Sequence, residues 1–274
     1  MARPPLLPVP PLPVGDIVRK SYQDLLANHE GLVRVGLVWL VVPLVLEMLA
    51  GWTATGDGPS LLGLVASLVS FVGLSAIAVV WHRHIIMGQD LVGPLAPVDA
   101  RVFRYIGFAV LVSLVSAVPA IGAVLVATAI LGEGAVEGSG ALSLLMAAGF
   151  VAAVIMAVRL QLVFPAVAIG DSGMPLRRSW QVTAGNTFRL VSGLILTVLP
   201  VLVAAMLAAL AGGLFTSIGA PRFGAFVSLL AGNLGGWLQA PLVAAFLSYC
   251  YLWFREQGNR PTSLPPLSDA RGSR

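Results

Sequence analysis

Six long apolar runs set the pattern of this chain, at residues 32–52, 61–81, 105–131, 141–163, 190–216 and 223–253. Each meets the roughly 20 apolar residues that a helix needs to cross a bilayer. The connections alternate in kind. Residues 53–60, 132–140 and 217–222 are short and carry Gly or Pro, whereas 82–104 and 164–189 are longer and charged. The pattern predicts an all-α polytopic membrane protein, its six spanning helices arranged as three hairpins. Short amphipathic segments precede each hairpin. Ile17, Val18, Tyr22, Leu25 and Leu26 share one helical face, with Asp16 as N-cap. Before the third hairpin, Pro175 starts a helix at its first position, with Leu176, Trp180 and Thr183 on one face. A shorter segment (Val98, Val102, Tyr105) precedes the second. Such helices are expected to lie in the headgroup layer.

Composition strengthens this picture. Hydrophobic residues make up 58% and charged residues 10% of the 274, against about 25% charged in soluble domains. That excludes a water-soluble enzyme, and it confines disorder to the ends. The single cysteine, Cys250, excludes an internal disulfide framework and a cysteine-based zinc site.

The net charge of +4 gains meaning from its distribution. Of the 16 Lys and Arg residues, 15 fall on the side of the two termini and the two long loops, and only Arg222 falls opposite. Acidic residues show no such bias, with Asp57, Glu133 and Glu137 on the Arg222 side. This split predicts cytoplasmic termini in a bacterial inner membrane, with anionic lipid headgroups as partners and no nucleic acid. No signal peptide is expected, since no charged region followed by an apolar one opens the chain. Residues 1–14, with six prolines between Pro4 and Pro13, are expected to be polyproline II or disordered. A PxxP ligand (Pro5 to Pro8, Pro10 to Pro13) is the competing reading. Residues 257–274 are expected to form a second disordered tail, leaving 15–256 as the membrane domain.

The three hairpins open alike. A basic residue is followed by glycine in Arg34-Val-Gly36, Arg104-Tyr-Ile-Gly107 and Arg189-Leu-Val-Ser-Gly193, and a proline follows at Pro43, Pro119 and Pro200. Two hairpins close alike, on Trp81-His-Arg83 and Trp253-Phe-Arg255. A weak threefold repeat and the general habits of membrane helices both account for this.

An ionisable group inside a span is a functional hypothesis by default. Glu47 lies about 7–8 Å inside the outer end of the first span. It reads as a proton or cation site, or as a carboxyl that snorkels outward or bonds to a neighbour. Arg159 sits near the inner end of the fourth span, within reach of the headgroups. His82 and His84 face apart on a helix and make a poor metal pair. No nucleophile elbow, zincin motif, phosphate loop or cofactor signature is present. In the sixth span Gly224, Ser228, Gly232, Gly236, Ala240, Ala244 and Ser248 stand at strict i+4 spacing, including a GxxxG from Gly232 to Gly236. Small residues let helices approach closely in lipid. The row predicts packing within the chain or a homo-oligomer contact, and its drift of about 40° per step makes it serve more than one neighbour. Glu47, Asn233 and Gln239 are the candidate polar pocket.

The most distinctive stretch reads Arg159-Leu-Gln-Leu-Val-Phe-Pro165-Ala166, then Pro175-Leu-Arg177-Arg-Ser179-Trp180, then Thr183-Ala-Gly185-Asn186. It resembles the cytoplasmic loop of six-helix bacterial inner-membrane proteins of the YciC-like kind and of the membrane domain ahead of some glycerophosphodiester phosphodiesterases. The resemblance implies a six-helix topology over roughly 32–255 but no catalytic residue. It implies a re-entry device, in which Pro165 ends the fourth helix and Gly185-Asn186 turns into the fifth.

Three functional classes follow. A non-enzymatic structural or partner-binding protein predicts no continuous polar cavity. A transporter or channel for a small or lipidic solute predicts a mid-membrane cavity lined by Asn233, Gln239, Glu47 or serine and threonine positions such as Ser67, Ser70, Ser113 and Thr197. A lipid enzyme needs a cluster such as His82, His84, Asp171 and Arg177. The first is the expectation, with the second as its alternative.

Overall fold

A computed structural model of the chain describes residues 10–53, 60–91, 93, 95–131 and 140–259. Nine helices and no strand occur among these residues: α1 Val14–Ala27, α2 His29–Thr53, α3 Leu61–Met87, α4 Ala100–Leu131, α5 Gly140–Leu160, α6 Val163–Ile169, α7 Leu176–Val182, α8 Thr187–Ser217 and α9 Pro221–Asn259. Six helical stretches are long and apolar enough to cross a membrane, α5 and α6 together forming one of them. The chain is therefore an all-α, multi-pass membrane protein. Most of the connections 53–60 and 132–140 and the extreme tails lie outside the described residues.

Sequential spans pack as hairpins, α2 on α3, α4 on α5 and α8 on α9. The spans are longer than their apolar runs because helix continues into polar flanks at the basic end. α9 is the axis. It contacts α8, α3, α1, α2 and α6, and it is the most buried span. α8 is the least buried, and Leu114, Leu125, Phe150, Leu207 and Leu210 project outward. In lipid these residues meet an apolar solvent, so helix association rests on close packing rather than on hydrophobic exclusion.

At 39 residues, α9 spans about 58 Å, nearly twice the thickness of a hydrocarbon core. Its last turns are enclosed by a collar of short segments. Leu12, Ile17, Leu162, Ala166, Met174 and Leu190 bury Phe246, Cys250, Tyr251 and Phe254. The N-terminal segment thus departs from the expected disorder at Pro10, and Leu12 is fully buried. The physical reason is apolar burial, worth about 1.5–3 kcal/mol for a leucine side chain. At the other end, helix runs to Asn259, beyond the expected boundary at 256.

Local expectations shift in four places. α1 starts at Val14 after Pro13, so Asp16 sits in the first turn instead of capping it. The segment before the second hairpin is the first turns of α4 and forms no separate helix, Val102 being buried there. Pro175 is the N-cap of α7, one position earlier than expected. Pro165 lies inside α6, and the chain breaks at Gln161-Leu162 instead. A proline near a helix start loses no intrahelical hydrogen bond, because first-turn N–H groups have no partner there.

Candidate functional site

Two regions bring polar side chains together, the collar at the basic end and a cleft at the opposite end. In the collar, Arg159 leaves α5 and stacks its guanidinium over the Trp180 ring, 3.7 Å from the centroid. Its Nη2 donates to the Trp180 carbonyl at 2.6 Å. Ser179 Oγ returns a hydrogen bond to the Arg159 carbonyl at 2.7 Å, and buried Thr183 donates to the Ser179 carbonyl at 2.8 Å. Gly185 adopts φ 83°, a left-handed conformation that glycine takes without strain, and Asn186 follows at the start of α8. Asn186 does not cap its own helix. Its Oδ1 accepts the Leu12 N–H at 2.8 Å and its Nδ2 donates to the Pro10 carbonyl at 3.2 Å, while Arg189 donates to the Leu12 carbonyl at 3.1 Å. Arg177 alone of the motif loop is exposed without such a role.

Asp171, between α6 and α7, accepts hydrogen bonds from the Tyr251 hydroxyl and from the Gly173 N–H. The Tyr251 hydroxyl, then the Gly173 N–H and the Arg255 and Arg178 charges, hold its carboxyl below the usual carboxylate range against the opposing effect of burial. Asp24 on α1 moves the other way. Burial pushes its carboxyl up, with the nearby His84 imidazole partly offsetting this.

The two histidines do not come together with Asp171 and Arg177. His82 is fully buried rather than interfacial. Its Nδ1 lies 2.8 Å from Ser248 Oγ, at the end of the small-residue row. His84 Nδ1 lies 2.7 Å from the Gln89 carbonyl. Asp171 and Arg177 engage neither histidine. Among the described residues no group of three His, Cys, Asp or Glu side chains is placed to hold a metal ion.

The cleft opens between α2, α3 and α9 in the half of the bundle away from the collar. It is a shallow, open-sided cleft of about 730 Å³, lined by Glu47, Gly51, Ser70, Ser228, Gly232 and Asn233 among others. Asn233 Nδ2 donates to Glu47 Oε2 at 2.7 Å and to the Leu229 carbonyl at 3.0 Å. Two of the three candidate pocket residues therefore meet. Gln239 is half-buried and lines no part of this cleft. Of the serine and threonine candidates only Ser70 lines it. Thr197 and Ser67 donate to carbonyls of their own helices, and Ser113 is exposed.

The small-residue row winds as its spacing requires. A side chain at Gly224 would run into α8 at Gly212 and Thr216, Gly236 faces Leu74 of α3, and Gly232 faces open space. Ala244 and Ser248 are buried. One turn beyond Asn233, buried Trp237 donates to the Gly36 carbonyl at 2.8 Å and ties α9 to α2. Sequence reasoning passed over Trp237. Its signal was the bare carbonyl approach that Gly36 permits.

A second cavity, about 500 Å³, sits at the basic end beside Arg83, Gln89, Asp90, Asp99 and Arg101. On α3 it uses Val79, Val80 and Arg83, whereas the cleft uses Ser70 and Leu74. At 100° per residue these sets lie on different faces of the helix. No protein-family profile matches the chain, and neither does any curated protein or solved structure.

Proposed function

We propose that this protein is a non-enzymatic element of a bacterial inner membrane, structural or partner-binding, with both termini and the collar in the cytoplasm. One observation carries the reading. The polar residues of the distinctive loop, Arg159, Ser179, Trp180, Thr183 and Asn186, spend their hydrogen bonds on one another and on the N-terminal segment. Their chemistry builds a platform around the end of α9. The separation of the two cavities onto different faces of α3 supports the same reading, since the two share no lining residue among the described ones. The basic residues that crowd the collar end support the cytoplasmic assignment and contact with anionic headgroups. The resemblance to YciC-like membrane proteins fits a loop whose motif serves architecture.

A photo-crosslinking residue placed at the exposed Arg177 tests it in cells. A discrete adduct that is lost when Asn186→Ala loosens the collar supports partner binding. Turnover of membrane phospholipids by the purified protein, abolished by His84→Ala or Asp171→Asn, overturns it. Reporter fusions that place Arg177 outside the cytoplasm overturn the threading. The cleft at Glu47 and Asn233 favours a second reading, a carrier for a small or lipidic solute.

A further inference from the structure

We propose that the Glu47–Asn233 cleft binds a lipophilic organic cation, an ammonium or phosphonium centre carrying apolar substituents. The inference concerns binding and rests on the cleft itself; it does not require that the bound molecule be carried across the membrane.

Charge complementarity comes first. A carboxyl group lining an apolar cleft within a span is a natural partner for a positive charge, because charge attraction is strong in a medium of low dielectric. Glu47 has an amide for a neighbour, and among the described residues no Lys, Arg or His forms an ion pair with it. On its side of the chain the sequence holds a single basic residue, Arg222. Arg222 stands eleven residues before Asn233 on α9, about 16 Å along the axis. Among the described residues no positive side chain pairs with Glu47, which leaves the cleft open to a positive charge from outside.

The walls decide what kind of cation. About 730 Å³ falls in the range of small-molecule pockets. Gly51, Leu74, Ala225, Leu229, Gly232 and Gly236 present apolar or bare backbone surface. A calcium or magnesium ion needs about six oxygen ligands and a strict shell, and the lining holds only one carboxylate. A large cation with diffuse charge keeps little hydration to lose and fills apolar space. Asn233 fixes the carboxylate, since both of its Nδ2 hydrogens are used, on Glu47 and on the Leu229 carbonyl.

The test uses the full-length protein in nanodiscs of zwitterionic lipid, with tetraphenylphosphonium as probe and equilibrium dialysis as readout. Saturable binding is expected, weakened by about tenfold or more in Glu47→Gln, as for removal of one member of a charged pair. Gly232→Leu, which fills the cleft and keeps the carboxylate, is expected to abolish it. Tetraphenylborate, equal in size and opposite in charge, is expected not to compete. That comparison on the wild-type protein holds even if a variant fails to fold. No saturable binding, equal binding by a folded Glu47→Gln protein, or equal competition by the anion overturns the proposal. Accumulation of the probe in proteoliposomes bears separately on the carrier reading. Binding without accumulation upholds this inference and counts against transport.

Discussion

Asn186 Oδ1 accepts the backbone N–H of Leu12 at 2.8 Å, joining residues 174 positions apart. The contact ties the N-terminal segment to the turn that starts α8 and closes the collar around the end of α9. Asn186→Ala leaves the buried Leu12 N–H unpaired, at a cost of about 1–3 kcal/mol. A lower thermal midpoint in detergent is expected, with faster proteolysis near residues 10–13. Asn186→Asp keeps the acceptor for Leu12 but sets a carboxylate oxygen against the Pro10 carbonyl, so only part of the loss should be recovered. Unchanged protection in Asn186→Ala would show that the segment is held by apolar contact alone.

Arg159→Lys is not a conservative change here. Lysine keeps the charge but loses the planar stack on Trp180 and the fork that reaches the Trp180 carbonyl. A destabilisation of about 1 kcal/mol or more is expected. Trp180→Phe should be milder than Trp180→Leu, because a ring face remains. Thermal unfolding of the three variants decides this, and equal midpoints for Phe and Leu would remove the stacking argument.

The three repeat glycines should behave unequally. A Cβ at Gly36 would lie 2.6 Å from Trp237 Nε1, and one at Gly193 would lie 2.5 Å from Phe246, whereas Gly107 has nothing within 4 Å. Gly36→Ala and Gly193→Ala are expected to destabilise by about 1–3 kcal/mol. Gly107→Ala should be neutral or stabilising, by roughly the helix-propensity gain of up to 1 kcal/mol. Chemical denaturation of the three single variants ranks them. Equal losses would mean that the glycines answer to something other than these neighbours.

Acid should weaken the collar through Asp171. A carboxyl held below its unfolded value contributes stability that is fully present above that value, about 3.9 for Asp, and fades as pH falls through the folded one. The thermal midpoint should therefore be insensitive to Asp171 between pH 6 and pH 8, roughly, and decline below about pH 4. Asp171→Asn should start lower and show a shallower acid decline. Asp24 has the opposite sign. Its raised carboxyl gains relative stability as pH falls through its folded value, so Asp24→Asn is expected to be tolerated at neutral pH. A steeper acid decline in Asp171→Asn than in wild type would contradict the first expectation.

The spans, the hairpin order and the two ends of the molecule were legible without coordinates. Each is a property of local composition. Lipid excludes charge and forces the backbone to satisfy its own hydrogen bonds, so about 20 apolar residues in a row have only one regular solution. The winding of the small-residue row followed from the helical repeat alone. The meeting of Glu47 with Asn233, of His82 with Ser248 and of Asn186 with Leu12 did not, because these pairs are separated by 186, 166 and 174 residues. In a medium without competing water, a polar group takes whichever partner helix packing brings to it. Gly36 and Gly107 look alike in sequence, yet one admits a tryptophan and the other faces open space. Local chemistry fixed which segments enter the membrane, and the approach of one helix to another decided what each polar residue does there.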